Sequence, residues 1–134
     1  MENSVNPDYE KVLSLLRSDQ EIVINTCYGG FSLSRTALIE YLEKTGTEYS
    51  LQPQPDRDTQ LRLGDRIFVN GNMFDHHSIN RDDPALVNVV RQLGSKSWGE
   101  NAKLKIIKIP RNVDWYIDDY DGKEWVAEKH RIWR

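Results

Sequence analysis

The chain has 134 residues, 38% apolar and 29% charged, with four Trp and six Tyr, which suffices for one packed core and is unlike a disordered polar chain. Its 21 Asp and Glu outnumber 18 Lys and Arg, giving a net charge of -3 with no basic block clear of acidic neighbours, which argues against a general nucleic-acid binder. The single cysteine, Cys27, excludes an internal disulfide and a thiolate zinc cluster, and no apolar run approaches the roughly 18 residues of a membrane span. The expectation is one cytoplasmic domain over residues 1–134, neither exported nor membrane-embedded.

Asn6-Pro7-Asp8 offers a cap and a first-turn proline, and Tyr9, Val12, Leu13 and Leu16 recur at helical spacing, which predicts a helix over about 8 to 18. Glu21 to Thr26 is a β-branched run that fits a buried strand. It stops at Cys27-Tyr28-Gly29-Gly30-Phe31-Ser32-Leu33-Ser34, where Ser34 is a good N-cap for a second helix over 35 to 45 with Ala37, Leu38, Tyr41 and Leu42 on its apolar face. From Thr47 to Asp65 the chain turns polar, with Pro53 and Pro55, and reads as an exposed loop or projecting arm.

Arg66 to Val69 is a short strand candidate, followed by the turn residues Asn70-Gly71-Asn72. Asp83-Pro84 announces a third helix whose buried side is Leu86, Val87, Val89, Val90 and Leu93, closed by Gly94. Lys103 to Ile109, Val113 to Asp119 and Glu124 to His130 then read as three strands, the last two joined across the tight-turn pair Asp121-Gly122. The sum is an α+β (mixed α/β) fold: one mixed sheet with about three helices on it and antiparallel strands at the C-terminus.

Three segments carry a resemblance: Cys27 to Ser34, Arg81-Asp82-Asp83-Pro84 with its helix, and Glu124-Trp125-Val126-Ala127-Glu128-Lys129-His130-Arg131-Ile132-Trp133. In these the chain resembles a family of small bacteriophage-encoded proteins, from about residue 21 to the C-terminus but skipping 47 to 75. Phage proteins of this size include sponges that sequester the nucleotide signals of bacterial defence systems such as Thoeris and CBASS, and others that cleave them. The resemblance therefore implies an anti-defence role on a nucleotide, while fold or origin does not fix function.

Adjacent glycines ahead of a helix N-terminus let backbone N–H groups approach a phosphate, so Tyr28 to Ser34 reads as a candidate anion loop, with Ser32 and Ser34 as further donors. It matches neither the Walker loop nor the spaced-glycine dinucleotide fingerprint, and Gly29 and Gly30 serve equally well as residues of positive φ in a tight connection. Tyr28 is the better candidate for stacking a nucleobase, at about 1–3 kcal/mol per base, whereas Phe31 suits a hydrophobic staple as readily. On the last strand Glu124, Val126, Glu128 and His130 alternate with Trp125, Ala127, Lys129 and Arg131. That pattern gives either a solvated face or a polar one on which Glu128 and His130 hold hydroxyls or a base edge and Arg131 clamps a phosphate.

Arg81 beside the third helix suits an anion or a surface ion pair with Asp82 or another acid. Asp75-His76-His77 lacks the further ligands a metal site needs, and no cofactor is implied. The leading expectation is a non-enzymatic, homo-oligomeric binding protein for a small anionic nucleotide, with no nucleic-acid or membrane partner and no catalytic residue. Its site is Tyr28, Gly29, Gly30, Phe31, Ser32, Ser34, Arg81, Glu128, His130 and Arg131. The alternatives are a nucleotide hydrolase using His130, His77 or a Cys27–His130 pair, and a protein inhibitor of a host factor that uses the acidic surface and the 47 to 65 arm.

Overall fold

The computed structural model describes residues 19–54 and 62–129. The expected helix over 8 to 18 lies outside them, as do His130 and Arg131. The fold is mixed α+β, mostly strands, with two α-helices among the described residues.

Strand β1 is Gln20–Asn25 and pairs antiparallel with β5, Leu104–Ile109, with Val23 opposite Ile106 and Asn25 opposite Leu104. Val23 joins the main core, and Ile22 and Ile24 on the other side of the strand are also buried. Burial on both faces is why β1 reads as an uninterrupted β-branched run without polar alternation. Helix α1, Arg35–Lys44, starts where the Ser34 hydroxyl accepts from the Ala37 amide. Helix α2, Pro84–Leu93, is capped by Asp83, whose carboxylate accepts from the Ala85 amide. The α2 helix packs on α1, β1 and β5 with Leu86, Val87, Val89 and Val90 buried.

The same Asp83 carboxylate accepts from the Tyr41 hydroxyl at 2.7 Å, which ties the two helices. Burial first, and then this neighbouring carboxylate, push the Tyr41 phenol up to about 12.

The polar segment expected as a loop or arm is a hairpin. Strand β2, Ser50–Gln54, pairs antiparallel with β3, Arg62–Val69, which pairs in turn with the two-residue β4, Asn72–Met73. The Asn70-Gly71 turn has φ of 53° and 80°, the positive values a tight hairpin needs. A 3₁₀ turn, His76–Ser78, leads on towards α2, and another, Gly94–Ser97, follows it. Strands β6, Trp115–Tyr120, and β7, Lys123–Glu128, form the last antiparallel pair, and β7 lies against β1.

The described strands thus form three antiparallel sheets, ordered β1-β5, β2-β3-β4 and β6-β7, in place of the expected single mixed sheet. The reason is that successive strands here are joined by tight turns or pair across a long chain separation as β1 and β5 do. No helical crossover brings two of them together in parallel.

Candidate functional site

The glycine bend and β7 meet, but at the start of β7. Gly122 is packed so closely that a Cβ there would lie 2.5 Å from the Gly30 nitrogen and 3.0 Å from the Gly29 nitrogen. A Cβ on Gly29 would lie 2.5 Å from the Asn101 carbonyl oxygen. The two glycines, at φ 134° and 95°, therefore let the bend close on the chain itself. Their amides face the β6–β7 turn, where a phosphate would have to displace it.

Asn25, fully buried, organises this junction. Its side-chain amide donates to the carbonyls of Cys27 and Gly122 at 2.7 Å each, and its side-chain oxygen accepts from the Lys103 amide at 2.9 Å. Its backbone N–H donates to the Glu124 carboxylate at 2.8 Å. Glu124 in turn accepts a two-pronged pair of bonds from the Arg81 guanidinium at 2.6 and 2.9 Å, with only 12% and 10% of the two side chains exposed. The guanidinium stacks 3.6 Å above the centre of the Phe31 ring, which is itself core.

The expected site residues therefore divide. Gly29, Gly30, Phe31 and Arg81 come together, with Asn25 and Glu124 as partners that sequence reasoning did not select. Arg81 is engaged by Glu124 rather than Asp82. Ser34 is spent on the helix cap and on a bond donated to the Lys96 carbonyl, and Ser32 packs against Gly99. Tyr28 stands exposed at the rim, with the Lys123 ammonium 5.7 Å from its ring centre.

Glu128 is exposed and sits opposite Trp115, five residues along the strand from Lys123, which is about 16 Å at the usual rise. It does not join the glycine bend, and His130 and Arg131 lie outside the described residues.

A second arrangement lies beside this junction. His76 is half-buried, and its Nδ1 accepts from the Leu33 amide at 3.0 Å, so in the neutral ring the proton sits on Nε2. Burial first, then the neighbouring His77, lower its pKa, with Asp75 opposing. His76 borders a cavity of about 210 Å³ between α1 and the β3–β4 hairpin. Leu33, Leu38, Ile67 and Phe74 give it apolar walls, Met73 forms part of the rim, and Arg35 and Arg66 bring two guanidinium groups. No carboxylate lines it.

Spacing could not reveal this set, because its members come from four segments. The available signal was the Asn70-Gly71 turn, which folds Met73 and Phe74 back beside Ile67.

The imidazole of His77 is exposed and pairs with Asp75 at 3.4 Å. Among the described residues no group of three or more His, Cys, Asp or Glu side chains is placed to hold a metal. Nor is any helix among them long and apolar enough to cross a membrane. The Cys27 thiol donates to the Asn101 carbonyl. Compared with known proteins, the chain matches no family model, no curated protein and no solved structure.

Proposed function

We propose that the protein is a binding domain that sequesters a small anionic ligand, with a cyclic or adenine-containing nucleotide as first candidate, in the cavity between α1 and the β3–β4 hairpin. One observation carries the reading: two guanidinium groups and an imidazole surround a largely apolar cavity whose lining contains no carboxylate. Guanidinium groups hold phosphate oxygens in pairs, the apolar walls accept a ring, and Nε2 of a neutral His76 donates to an anion or a carbonyl. This moves the anion-binding role from Arg81, whose charge Glu124 already balances, to Arg35 and Arg66.

At about 210 Å³ the cavity holds the equivalent of roughly seven waters of about 30 Å³, enough for one ring or phosphate group and less than a whole nucleotide. The rest of the ligand would lie on the Met73 rim, under a second copy of the chain in the proposed homo-oligomer. The sequence resemblance to phage-encoded proteins supports placing the ligand among bacterial defence signals, in a host cytoplasm. A single domain with a third helix over 8 to 18 belongs to the same proposal.

The test is a thermal-shift and calorimetry panel of AMP, ADP-ribose, a cyclic dinucleotide and inorganic phosphate. A ligand at 100 times its Kd adds about 2.7 kcal/mol to stability, and Arg66→Ala should remove most of that gain. Ligand recovered intact after heat denaturation agrees with sequestration, and cleaved ligand favours the hydrolase alternative. Full binding retained in both Arg35→Ala and Arg66→Ala ends this assignment of the site.

A further inference from the structure

We propose a second binding surface, separate from the cavity: the outward face of the β6–β7 hairpin, continued by Tyr28, docks a cationic segment of a partner protein, rich in Arg and Lys. The register sets the face. Trp125 lies opposite Asp118 and Tyr120 opposite Lys123, so these four share one side of the hairpin with Tyr116, and Trp125 is the diagonal neighbour of both tyrosines. Glu124 and Val126 occupy the other, inward side.

The outward side is aromatic and left open to solvent: Tyr116 is 42% exposed, Tyr120 71% and Trp125 43%, and Tyr28 beside them 59%. An aromatic ring offers about 150–250 Å² when fully buried, so four rings this exposed present on the order of 400 Å², the size of patch that marks an interaction site.

Charge selects the occupant. Ring faces are negative and attract ammonium and guanidinium groups, and Asp118 adds a carboxylate in the middle of the row. The Asp118 side chain accepts from the Asp119 amide, and no cation among the described residues pairs with it. The face already shows the preference in its own chain, since the Lys123 ammonium sits over the Tyr28 ring. An acidic or phosphate-bearing partner would meet Asp118 and the negative ring faces. A cationic peptide gains from both, with its side chains between Trp125 and the flanking tyrosines.

The experiment titrates the full chain with an alternating Arg–Ser octapeptide, read by calorimetry and tryptophan fluorescence. A Glu–Ser octapeptide and a single-stranded oligonucleotide serve as controls, and sedimentation gives the oligomeric state. Saturable binding of the Arg–Ser peptide alone is expected, weakened by roughly ten-fold in Trp125→Ala and in Tyr120→Ala, and several-fold in Asp118→Asn. The melting temperature should change little in each, because these side chains are exposed.

The proposal falls if the Arg–Ser peptide shows no saturable binding, if the three variants bind it like the parent, or if either control binds as well. It falls too if Trp125→Ala converts an oligomer to a monomer, since a second copy then occupies the face. Neither Arg35 nor Arg66 belongs to this surface, so loss of nucleotide binding in their variants leaves peptide binding intact and the two readings fail independently.

Discussion

Asn25 has no exposed surface, and its amide group closes three hydrogen bonds to backbone groups that lie 2, 97 and 78 residues away. Replacing it by alanine strands the Cys27 and Gly122 carbonyls and the Lys103 amide. At about 1–3 kcal/mol for each buried group left unsatisfied, and with some regaining water, Asn25→Ala should lower the unfolding free energy by about 3 kcal/mol in urea titrations. The Arg81–Glu124 pair obeys a different rule. Removing one member leaves an uncompensated buried charge, so Arg81→Ala and Glu124→Ala should each cost about 3–5 kcal/mol, and the double variant less than their sum. Additive losses in a double-mutant cycle would mean that the two side chains act separately.

His76 gives the stability a pH dependence of known sign. Its folded pKa is lowered, so the unfolded chain binds the proton more readily, and His76 contributes its stability in full above the unfolded value near 6.5. That contribution is lost as pH falls from there towards the lower folded value, because a protonated Nδ1 no longer accepts from the Leu33 amide. Urea midpoints at pH 7.5 and 5.5 should therefore differ more in the parent than in His76→Asn, whose side-chain oxygen accepts at either pH. Equal differences in the two proteins would show that carboxylates alone set the dependence.

Among the elements, the two hairpin turns make a controlled comparison. Gly71 and Gly122 both have positive φ, 80° and 89°, yet a Cβ on Gly71 meets nothing within 4 Å while one on Gly122 runs into the Gly29-Gly30 backbone. Gly71→Ala should cost about 1 kcal/mol for backbone conformation alone, and Gly122→Ala clearly more, because the β6–β7 hairpin must also back away from the bend. Matching losses in chemical denaturation would remove the close approach as the reason for Gly122.

The helix caps were legible in the sequence because they are local: Ser34 and Asp83-Pro84 announce α1 and α2 to within a residue. Strand β2 was not. Its Pro53 and polar side chains look like loop, which an edge strand tolerates because one side of its backbone needs no partner. In β7 the alternation was readable, but which face is buried was not. Glu124 goes inside because Arg81, 43 residues away, neutralises it, and Trp125 then points outward.

At the scale of the whole molecule, the convergence of the glycine bend with β7 follows from β1, which ends at the bend and carries β7 along its side. Sequence identified the two partners without the register, so Gly122 and Glu124 at the start of β7 went unnoticed in favour of Glu128 at its far end. The cavity was illegible for a related reason: Arg35, Arg66 and His76 approach one another only after the β3–β4 hairpin folds against α1.

The same layout implies unequal local stability. Val23, Leu86, Val89 and Leu104 bury their side chains in one cluster, so amides of β1 and β5 should exchange with solvent only on global unfolding. In the β2–β3–β4 hairpin Ile67 is the one buried residue among the described side chains, and Leu51 and Met73 are 41% and 62% exposed, so its amides should exchange through a smaller, local opening. A ligand in the adjoining cavity makes that opening costlier. Native-state hydrogen exchange with and without nucleotide should then show slowing at Ile67, Phe68 and Phe74 and none at Tyr116, Tyr120 or Trp125. Slowing confined to the β6–β7 hairpin would move the nucleotide to the aromatic face and leave the two arginines without a ligand.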